Sequence, residues 1–251
     1  MRTKKYSDWL NGEYIPNEIN GRDRGFKDLS WVVAKKVKGN FDCSRNKIGS
    51  LKNGPIEVGG TYGCEHNRLK SLRGAPKEVG RDFWCNNNRL TSLKDGPEKV
   101  GWEYLCFNNE LTDLEGSPKQ IKGCFHCSFN KLKTLKGGPE KVGSFVCENN
   151  PLTSLEGAPK EIGIVFEGPF KMSGKDWGPK GWVKILASDN LYHRKLIRTI
   201  FTDEMIDKWF KENPADISIL DHLPELKAEV LKRTGIRDLS RLSRNLKTGL
   251  I

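Results

Sequence analysis

The fold is decided by a stretch of 19 residues, Phe83 to Gly101, which reads FWCNNNRLTSLKDGPEKVG. An aromatic residue and a cysteine alternate at its start. An asparagine follows, two leucines stand three residues apart, and a Gly-Pro turn leads to valine and glycine. The arrangement recurs along the chain at intervals of 21, 21, 21, 21 and 20 residues, measured between cysteines. Such a period is typical of solenoids, in which each repeat forms one turn.

Six repeats keep the same residue types at corresponding positions. The aromatic residues are Phe41, Tyr62, Phe83, Tyr104, Phe125 and Phe145. The cysteines are Cys43, Cys64, Cys85, Cys106, Cys127 and Cys147, and the asparagines are Asn46, Asn67, Asn88, Asn109, Asn130 and Asn150. The aliphatic residue after the proline is Val58, Val79, Val100, Ile121, Val142 or Ile162. Each set predicts a column of side chains that stack when the turns stack.

The aromatic residue and the cysteine predict one short strand in each repeat. Because side chains alternate along a strand, both point inward, and the residues around them point outward. One short strand cannot bury its apolar face alone, so the turns must stack as a parallel sheet. The asparagine is expected to satisfy backbone groups in the turn after the strand. The outer side, too short for a full helix, is expected to be extended or 3₁₀.

This repeat resembles the leucine-rich repeat, with an aromatic residue and a cysteine in the apolar strand positions. It is similar to the short repeats in uncharacterised proteins of large tailed bacteriophages, and the stretch from Asn149 to Pro159 carries that likeness. The resemblance implies a leucine-rich-repeat fold and a phage-encoded protein in the cytoplasm of a bacterial host. It leaves open a host protein or a phage protein as partner, and also a structural role in the virion.

Three regions follow from the extent of the repeat. Residues 1–38 are predicted to form an N-terminal cap, residues 39–163 a solenoid of six units, and residues 164–251 a C-terminal connector and helical region. Residues Ile164 to Phe166 continue the strand phase once more. Helices are expected over about 181–201, 203–212, 224–234 and 237–247. The predicted fold class is a repeat solenoid with short parallel strands, an N-terminal cap and C-terminal α-helices.

Composition narrows the classes of protein to consider. The chain has 251 residues, 36% of them apolar and 30% charged, which is a globular composition. No apolar stretch is long enough to span a membrane, and no secretory signal stands at the N-terminus, so neither a membrane partner nor secretion is expected. The net charge of +11 is spread along the chain and by itself defines no binding surface.

The outward face of the sheet predicts a protein-binding site. Polar residues are expected there, yet the middle repeats place an apolar patch on it: Trp84, Leu105, Phe107, His126, Phe129 and Val146. The column containing Phe107 is also expected to point outward; it holds Ser44, Glu65, Asn86, Ser128 and Glu148. An exposed apolar patch flanked by acids is typical of a surface that binds a protein partner. The alternative is that a terminal segment of the chain covers this patch.

Nucleic-acid binding is the alternative function. Ten cations follow the strands in three columns, here called the basic ridge: Lys47, Lys52, Arg68, Lys70, Arg73, Arg89, Lys94, Lys131, Lys133 and Lys136. The last predicted helix adds Arg237, Arg241 and Arg244, so Arg68 and Arg89 with these three are the candidate phosphate-binding residues. The simpler explanation of the ridge is a solvated edge that mixes these cations with columns of acids.

No catalytic residue, metal site or cofactor is predicted. Cys124 and Cys127 stand in a Cys-x-x-Cys motif, but the repeat phase places them on opposite faces of one strand. A metal pair of Cys124 and His126 is the minor alternative, and the cysteine column is expected to be buried. No cysteine follows Cys147, which removes the catalytic residue of leucine-rich-repeat ubiquitin ligases. The sequence therefore predicts a non-catalytic recognition scaffold.

Overall fold

The chain divides into two compact units, Met1–Lys175 and Asp176–Ile251. The computed structural model describes residues 15–174, 177, 185 and 191–198. Residues 15–174 form a β-solenoid of about seven turns, with a repeat of about 21 residues and parallel strands stacked from turn to turn. The predicted repeat solenoid is confirmed, and the outer segments of its turns are bends and tight turns without an α-helix in residues 15–174.

The larger sheet contains nine strands and carries the aromatic column. In spatial order these are β1 (Ile19–Asn20), β3 (Phe41–Asp42), β5 (Tyr62–Gly63), β7 (Phe83–Trp84), β9 (Tyr104–Leu105), β10 (Gln120–His126), β11 (Lys141–Val146), β12 (Glu161–Glu167) and β13 (Lys171–Ser173). All neighbouring strands pair in parallel except β12 and β13, which pair antiparallel. Strands this short depend on stacking between turns for their stability.

A smaller sheet, which the sequence did not predict, lies at the valine column. Its four parallel strands are β2 (Lys36–Val37), β4 (Glu57–Val58), β6 (Glu78–Val79) and β8 (Lys99–Val100). In the next three turns, β10, β11 and β12 are long enough to include both the aliphatic and the aromatic position. The register shifts within these strands, because β11 has one residue fewer between Val142 and Phe145 than β10 has between Ile121 and Phe125.

The core is a set of stacked columns. The aromatic, cysteine and leucine side chains of the repeats are buried; most of them, including Phe83, Cys85 and Leu90, are 0% exposed. Ten aromatic rings form a continuous stack from Phe26 to Phe170, with neighbouring centroids between 4.7 and 6.2 Å apart. This burial of apolar area provides the main driving force for stacking the turns.

The asparagine column forms a ladder of hydrogen bonds between turns. Asn109 Nδ2 donates to the carbonyl oxygens of Cys85 and Cys106, both at 3.1 Å, and Asn109 Oδ1 accepts from the Leu90 amide at 3.0 Å. The other five asparagines make the corresponding bonds. The predicted role of asparagine is confirmed, and each one also joins its turn to the preceding turn.

Both ends of the stack carry segments that differ from the repeat. At the N-terminal end, Ile19 pairs in register with Phe41, and the Trp31 ring stacks on Phe41 at 6.2 Å. At the C-terminal end, β12 continues the strand phase as expected, and Phe170 and Met172 beside it are buried. In the second unit the structure describes one helix, α1 (Leu191–Arg198). The other predicted C-terminal helices, with Arg237, Arg241 and Arg244, lie outside the described residues.

Among the described residues, no helix is both long enough and apolar enough to cross a bilayer.

Candidate functional site

The apolar patch lies on the outward face of the larger sheet. Trp84 pairs in register with Leu105, Leu105 with His126, and His126 with Val146, so four successive strands contribute neighbouring side chains. All four are half-buried. Such side chains retain contact area for a partner while their packing against neighbouring strands holds them in place.

Phe107 and His126 give the patch a defined aromatic surface. Phe107 is half-buried, and its ring lies over the His126 imidazole with centroids 4.6 Å apart and planes inclined by 31°. Burial lowers the pKa of His126, and the Glu167 carboxylate opposes this shift only in part. The imidazole is therefore neutral at neutral pH and adds to the apolar surface rather than carrying a charge.

Phe129 stands at the edge of the patch in an unusual backbone conformation. Its φ is +54°, in the left-handed region, and the residue is 55% exposed. Every repeat has a left-handed residue at this position, and three of the other five are Asn87, Asn108 and Asn149. Asparagine tolerates this region, whereas a bulky side chain there is strained. Neither burial nor backbone preference therefore accounts for phenylalanine at this position.

The column that includes Phe107 is more buried than a solvated strand face. Ser44, Glu65, Asn86 and Ser128 are buried, Phe107 is half-buried and Glu148 is exposed. The strands of these turns end before this column, and the left-handed residue directly after it bends the chain. The column still lies on the outward side, because a β-carbon on Gly63 would be 3.2 Å from Glu65 Oε2 and the Phe107 ring lies over His126.

Acidic residues border the patch at both ends. On the N-terminal side, Arg22 Nη1 lies 3.6 Å from Asp42 Oδ2 and 3.9 Å from Glu65 Oε1. Glu65 is only 8% exposed, and burial followed by the charge of Asp42 raises the pKa of its carboxyl. On the C-terminal side stand the exposed Glu148 and the half-buried Glu167.

Replacing Glu65 by glutamine is expected to stabilise the fold at neutral pH by up to about 1 kcal/mol, since the change removes a partly buried charge. A carboxyl with a raised folded-state pKa favours folding below its unfolded pKa, and this contribution is lost as the pH rises through the folded value. The stability gain should therefore shrink on acidification towards pH 4. Thermal unfolding of both proteins at a series of pH values measures this difference.

Glu148→Gln is the matched control for Glu65→Gln, because Glu148 occupies the same repeat position but is exposed. It should change stability little at any of these pH values. A loss of stability in Glu65→Gln at pH 7 would show that the contact with Arg22 outweighs the burial of the carboxylate.

The cysteines are placed as expected. The six column cysteines are buried and free, and burial raises the pKa of each thiol. Cys124 is half-buried, and burial raises its pKa to about 11, so its thiol is protonated at neutral pH. In the described part of the chain, no three His, Cys, Asp or Glu side chains cluster as metal ligands.

The basic ridge is exposed over its whole length, but its two halves differ. In the fourth to sixth repeats, Lys131 pairs with Glu110 at 2.8 Å and Lys136 with Glu156 at 3.2 Å. In the first three repeats, Arg68 and Arg89 lie in one column with Lys47. None of the seven ridge cations in these repeats lies within 4.0 Å of a carboxylate among the described residues.

An open groove of about 800 Å³ runs along the smaller sheet on another side of the solenoid. The valines of the four short strands line it, together with Ile15. Its charged residues pair across the turns, with Lys36 2.9 Å from Glu57 and Lys99 2.6 Å from Glu78. Three of the four lysines that line the groove are thus paired with glutamates.

The left-handed column that holds Phe129 was not predicted from the repeat pattern. The signal was present, because asparagines recur at this position in the third, fourth and sixth repeats. Asparagine is several-fold enriched in the left-handed region, so this recurrence could have identified the turn.

Comparison of the chain with protein families, curated proteins and solved structures finds no match.

Proposed function

We propose that this chain is a non-catalytic scaffold that recognises a protein partner through the apolar patch. The patch joins aromatic and aliphatic side chains of four neighbouring strands on a rigid sheet. Half-buried aromatic residues at the centre of a surface are the type of residue that contributes most to protein binding. A stacked-repeat scaffold keeps their spacing fixed, so little ordering is needed when the partner binds.

Phe129 is the observation that carries this proposal. An exposed phenylalanine with a φ of +54° weakens the fold at a position where other repeats have asparagine. Backbone strain that stability does not explain is typical of functional sites. Contact between the Phe129 ring and an apolar group of a partner would explain why phenylalanine occupies this position.

The acidic border supports a partner with basic residues around an apolar centre. Asp42 and Glu65 stand on one side of the patch, with Glu148 and Glu167 on the other. Only Arg22 and Lys171 among the described residues form ion pairs with these acids. Complementary charge at the rim would speed association and fix the orientation of the partner.

The leucine-rich-repeat resemblance supports a cytoplasmic setting in a bacterium infected by a phage. The repeated asparagine and leucine columns carry that resemblance. In this setting the partner is a host protein or another phage protein. A structural role in the virion is the second setting, and it would use the same surface for assembly.

The test compares the full chain with Phe129→Asn, a change to the residue that three other repeats carry. Tagged protein is used to purify partners from infected and uninfected bacterial lysates, with nuclease and at two salt concentrations. A retained protein is then purified, and its dissociation constant is measured with each variant. Phe129→Asn should weaken binding by at least about 10-fold, while its melting temperature stays equal or rises because the strain is relieved.

Ile56→Ala is the matched control, because Ile56 is 56% exposed and lies outside the larger sheet. It should leave binding unchanged. A Trp84→Ala/Phe107→Ala double variant should remove binding altogether. Equal affinity of the wild type, Phe129→Asn and the double variant for the retained protein would refute recognition through this patch.

A further inference from the structure

The first three repeats of the basic ridge stack cation on cation. One column holds Lys47, Arg68 and Arg89, and a second holds Lys52, Arg73 and Lys94. Lys70 lies between the two columns, and all seven residues are exposed. Adjacent strands of a sheet are about 4.8 Å apart, so each cation stands close to a like charge in the next turn. Such pairs destabilise the fold when nothing neutralises them.

Elsewhere the same solenoid more often stacks opposite charges, although Glu57 and Glu78 are in-register partners of like charge. Seven lysine–glutamate pairs in residues 15–174 join one turn to the next: Lys36–Glu57, Lys77–Glu98, Glu78–Lys99, Glu110–Lys131, Lys136–Glu156, Glu140–Lys160 and Lys141–Glu161. The N-terminal half of the ridge differs from these surfaces, because seven cations stand there without a carboxylate of the described residues within 4.0 Å. An external anion would resolve the repulsion.

The positive surface has a defined end. In the fourth repeat, Glu110 and Glu115 replace the cations of the two columns, and Asp113 stands between them where earlier repeats have serine. A hydrogen bond from Lys131 lowers the pKa of Glu110 most, and the charges of Arg89 and Lys70 lower it further. Three turns at about 4.8 Å give a surface roughly 10 Å long, which suits about three or four phosphates.

We infer that the N-terminal half of the basic ridge binds the phosphodiester backbone of nucleic acid without base specificity. This surface is separate from the apolar patch, and the inference stands without the proposed protein partner. Lysine and arginine supply the charges, and the residues between them are small, such as Ser71, Thr91 and Ser92. No aromatic residue in these columns offers a base a surface to stack on, so contacts to phosphate dominate.

The test measures binding of the full chain to fluorescently labelled 20-nucleotide DNA, RNA of the same sequence and the DNA duplex, by anisotropy between 50 and 300 mM salt. For single strands, log affinity should fall with log salt with a slope of about −2 to −3, as expected for three or four phosphate contacts. Comparison of the three probes shows which nucleic acid the ridge prefers.

Arg68→Gln/Arg89→Gln should weaken binding at least about 10-fold and reduce the salt slope by about 1.4. Lys77→Gln/Lys99→Gln is the matched control, because it removes the same charge from residues already paired with glutamates. It should weaken binding less than about threefold. Phe129→Asn should bind nucleic acid like the wild type, which separates this test from that of the proposed function.

Three results would overturn the inference. Absence of binding at 50 mM salt is the first. Equal losses in the two double variants would be the second, because they would reflect net charge alone. The third is stronger binding to vesicles of phosphatidylglycerol and phosphatidylcholine than to any of the nucleic acids, which would assign the ridge to a membrane surface.

Discussion

Replacing Gly101 by alanine is expected to destabilise the solenoid by about 3 kcal/mol or more. A β-carbon on Gly101 would lie 1.9 Å from the carbonyl oxygen of Gly80 and 2.7 Å from its carbonyl carbon. Both are backbone atoms, so no side chain can rotate to make room. The Gly80 amide is itself bonded to the Val58 carbonyl at 2.9 Å, which fixes that backbone from the other side. This clash is relieved only if the two turns that contain Gly80 and Gly101 separate, which would break contacts of the core.

Gly163→Ala is the control for this prediction, because Gly163 follows the same aliphatic column. Its β-carbon would have the nearest atom, the Gly143 carbonyl oxygen, at 3.5 Å, an ordinary contact. The stability change should stay below about 1 kcal/mol. Chemical denaturation followed by circular dichroism measures both variants. Similar small losses in both would contradict the idea that close backbone stacking limits this position to glycine.

The repeat allowed the stacking of turns to be predicted from the sequence. Residue types such as Cys85 and Asn88 recur in every unit, and only in-register stacking brings all of these columns into one core. The prediction that Phe125 and Cys127 point inward, with Cys124 and His126 outward, rests on strand alternation alone. It agrees with their burial, since the first two are 0% exposed and the others half-buried.

The second sheet could not be predicted from the pattern. Strands such as Glu57–Val58 are only two residues long, too short for alternation to be visible. These strands form because stacking places the same backbone segment of successive turns side by side. Pairing of this kind comes from the stack and leaves no local signal in one repeat.

At Tyr62 and Tyr104, the residue in the aromatic column is related to the residue at the end of the preceding outer segment. Both hydroxyls lie near a glycine at the end of the preceding outer segment: an added β-carbon would be 3.2 Å from Tyr62 Oη at Gly54, and 3.3 Å from Tyr104 Oη at Gly96. Alanine or serine occupies this position in three repeats that lead to phenylalanine, whereas Gly138, which leads to Phe145, is an exception. The extra oxygen thus uses space that the missing methyl group leaves. The pairing of tyrosine with glycine, and of phenylalanine with alanine or serine, has no signal in the sequence without these distances.

The location of the apolar patch was predictable, and its details were less so. Strand phase placed Trp84, Leu105, His126 and Val146 on one face, and their register shows them as neighbours. The burial of Ser44 and Glu65, just beyond the end of the strand, could not be predicted from the phase. Backbone strain at Phe129 also escaped prediction, because the residue type argues against the left-handed conformation.

The asparagine ladder depends on the side-chain amide, whose nitrogen donates hydrogen bonds and whose oxygen accepts one. No other side chain of the same size and shape has both groups. Asn109 is buried, and its Nδ2 donates to carbonyl oxygens of two successive turns, while its Oδ1 accepts the Leu90 amide. Aspartate has nearly the same shape, but a carboxylate oxygen takes the place of the donating Nδ2. The carbonyl oxygens would then lose their donor and face a carboxylate.

Asn109→Asp is therefore expected to cost about 4 kcal/mol or more at pH 7, from lost hydrogen bonds and a buried charge. Burial should raise the pKa of the new carboxyl, and its neutral form can again donate one hydrogen bond. A folded-state pKa above the unfolded value favours folding at low pH and loses that contribution as the pH rises. The stability difference from the wild type should hence shrink between pH 7 and pH 4.

Asn109→Ala, which has no charge, should show a large loss at both pH values. Asn108→Asp, at the exposed neighbouring residue, should change stability by less than about 1 kcal/mol. A pH-independent loss in Asn109→Asp would mean that the ladder acts through shape, with its hydrogen-bond donors contributing little.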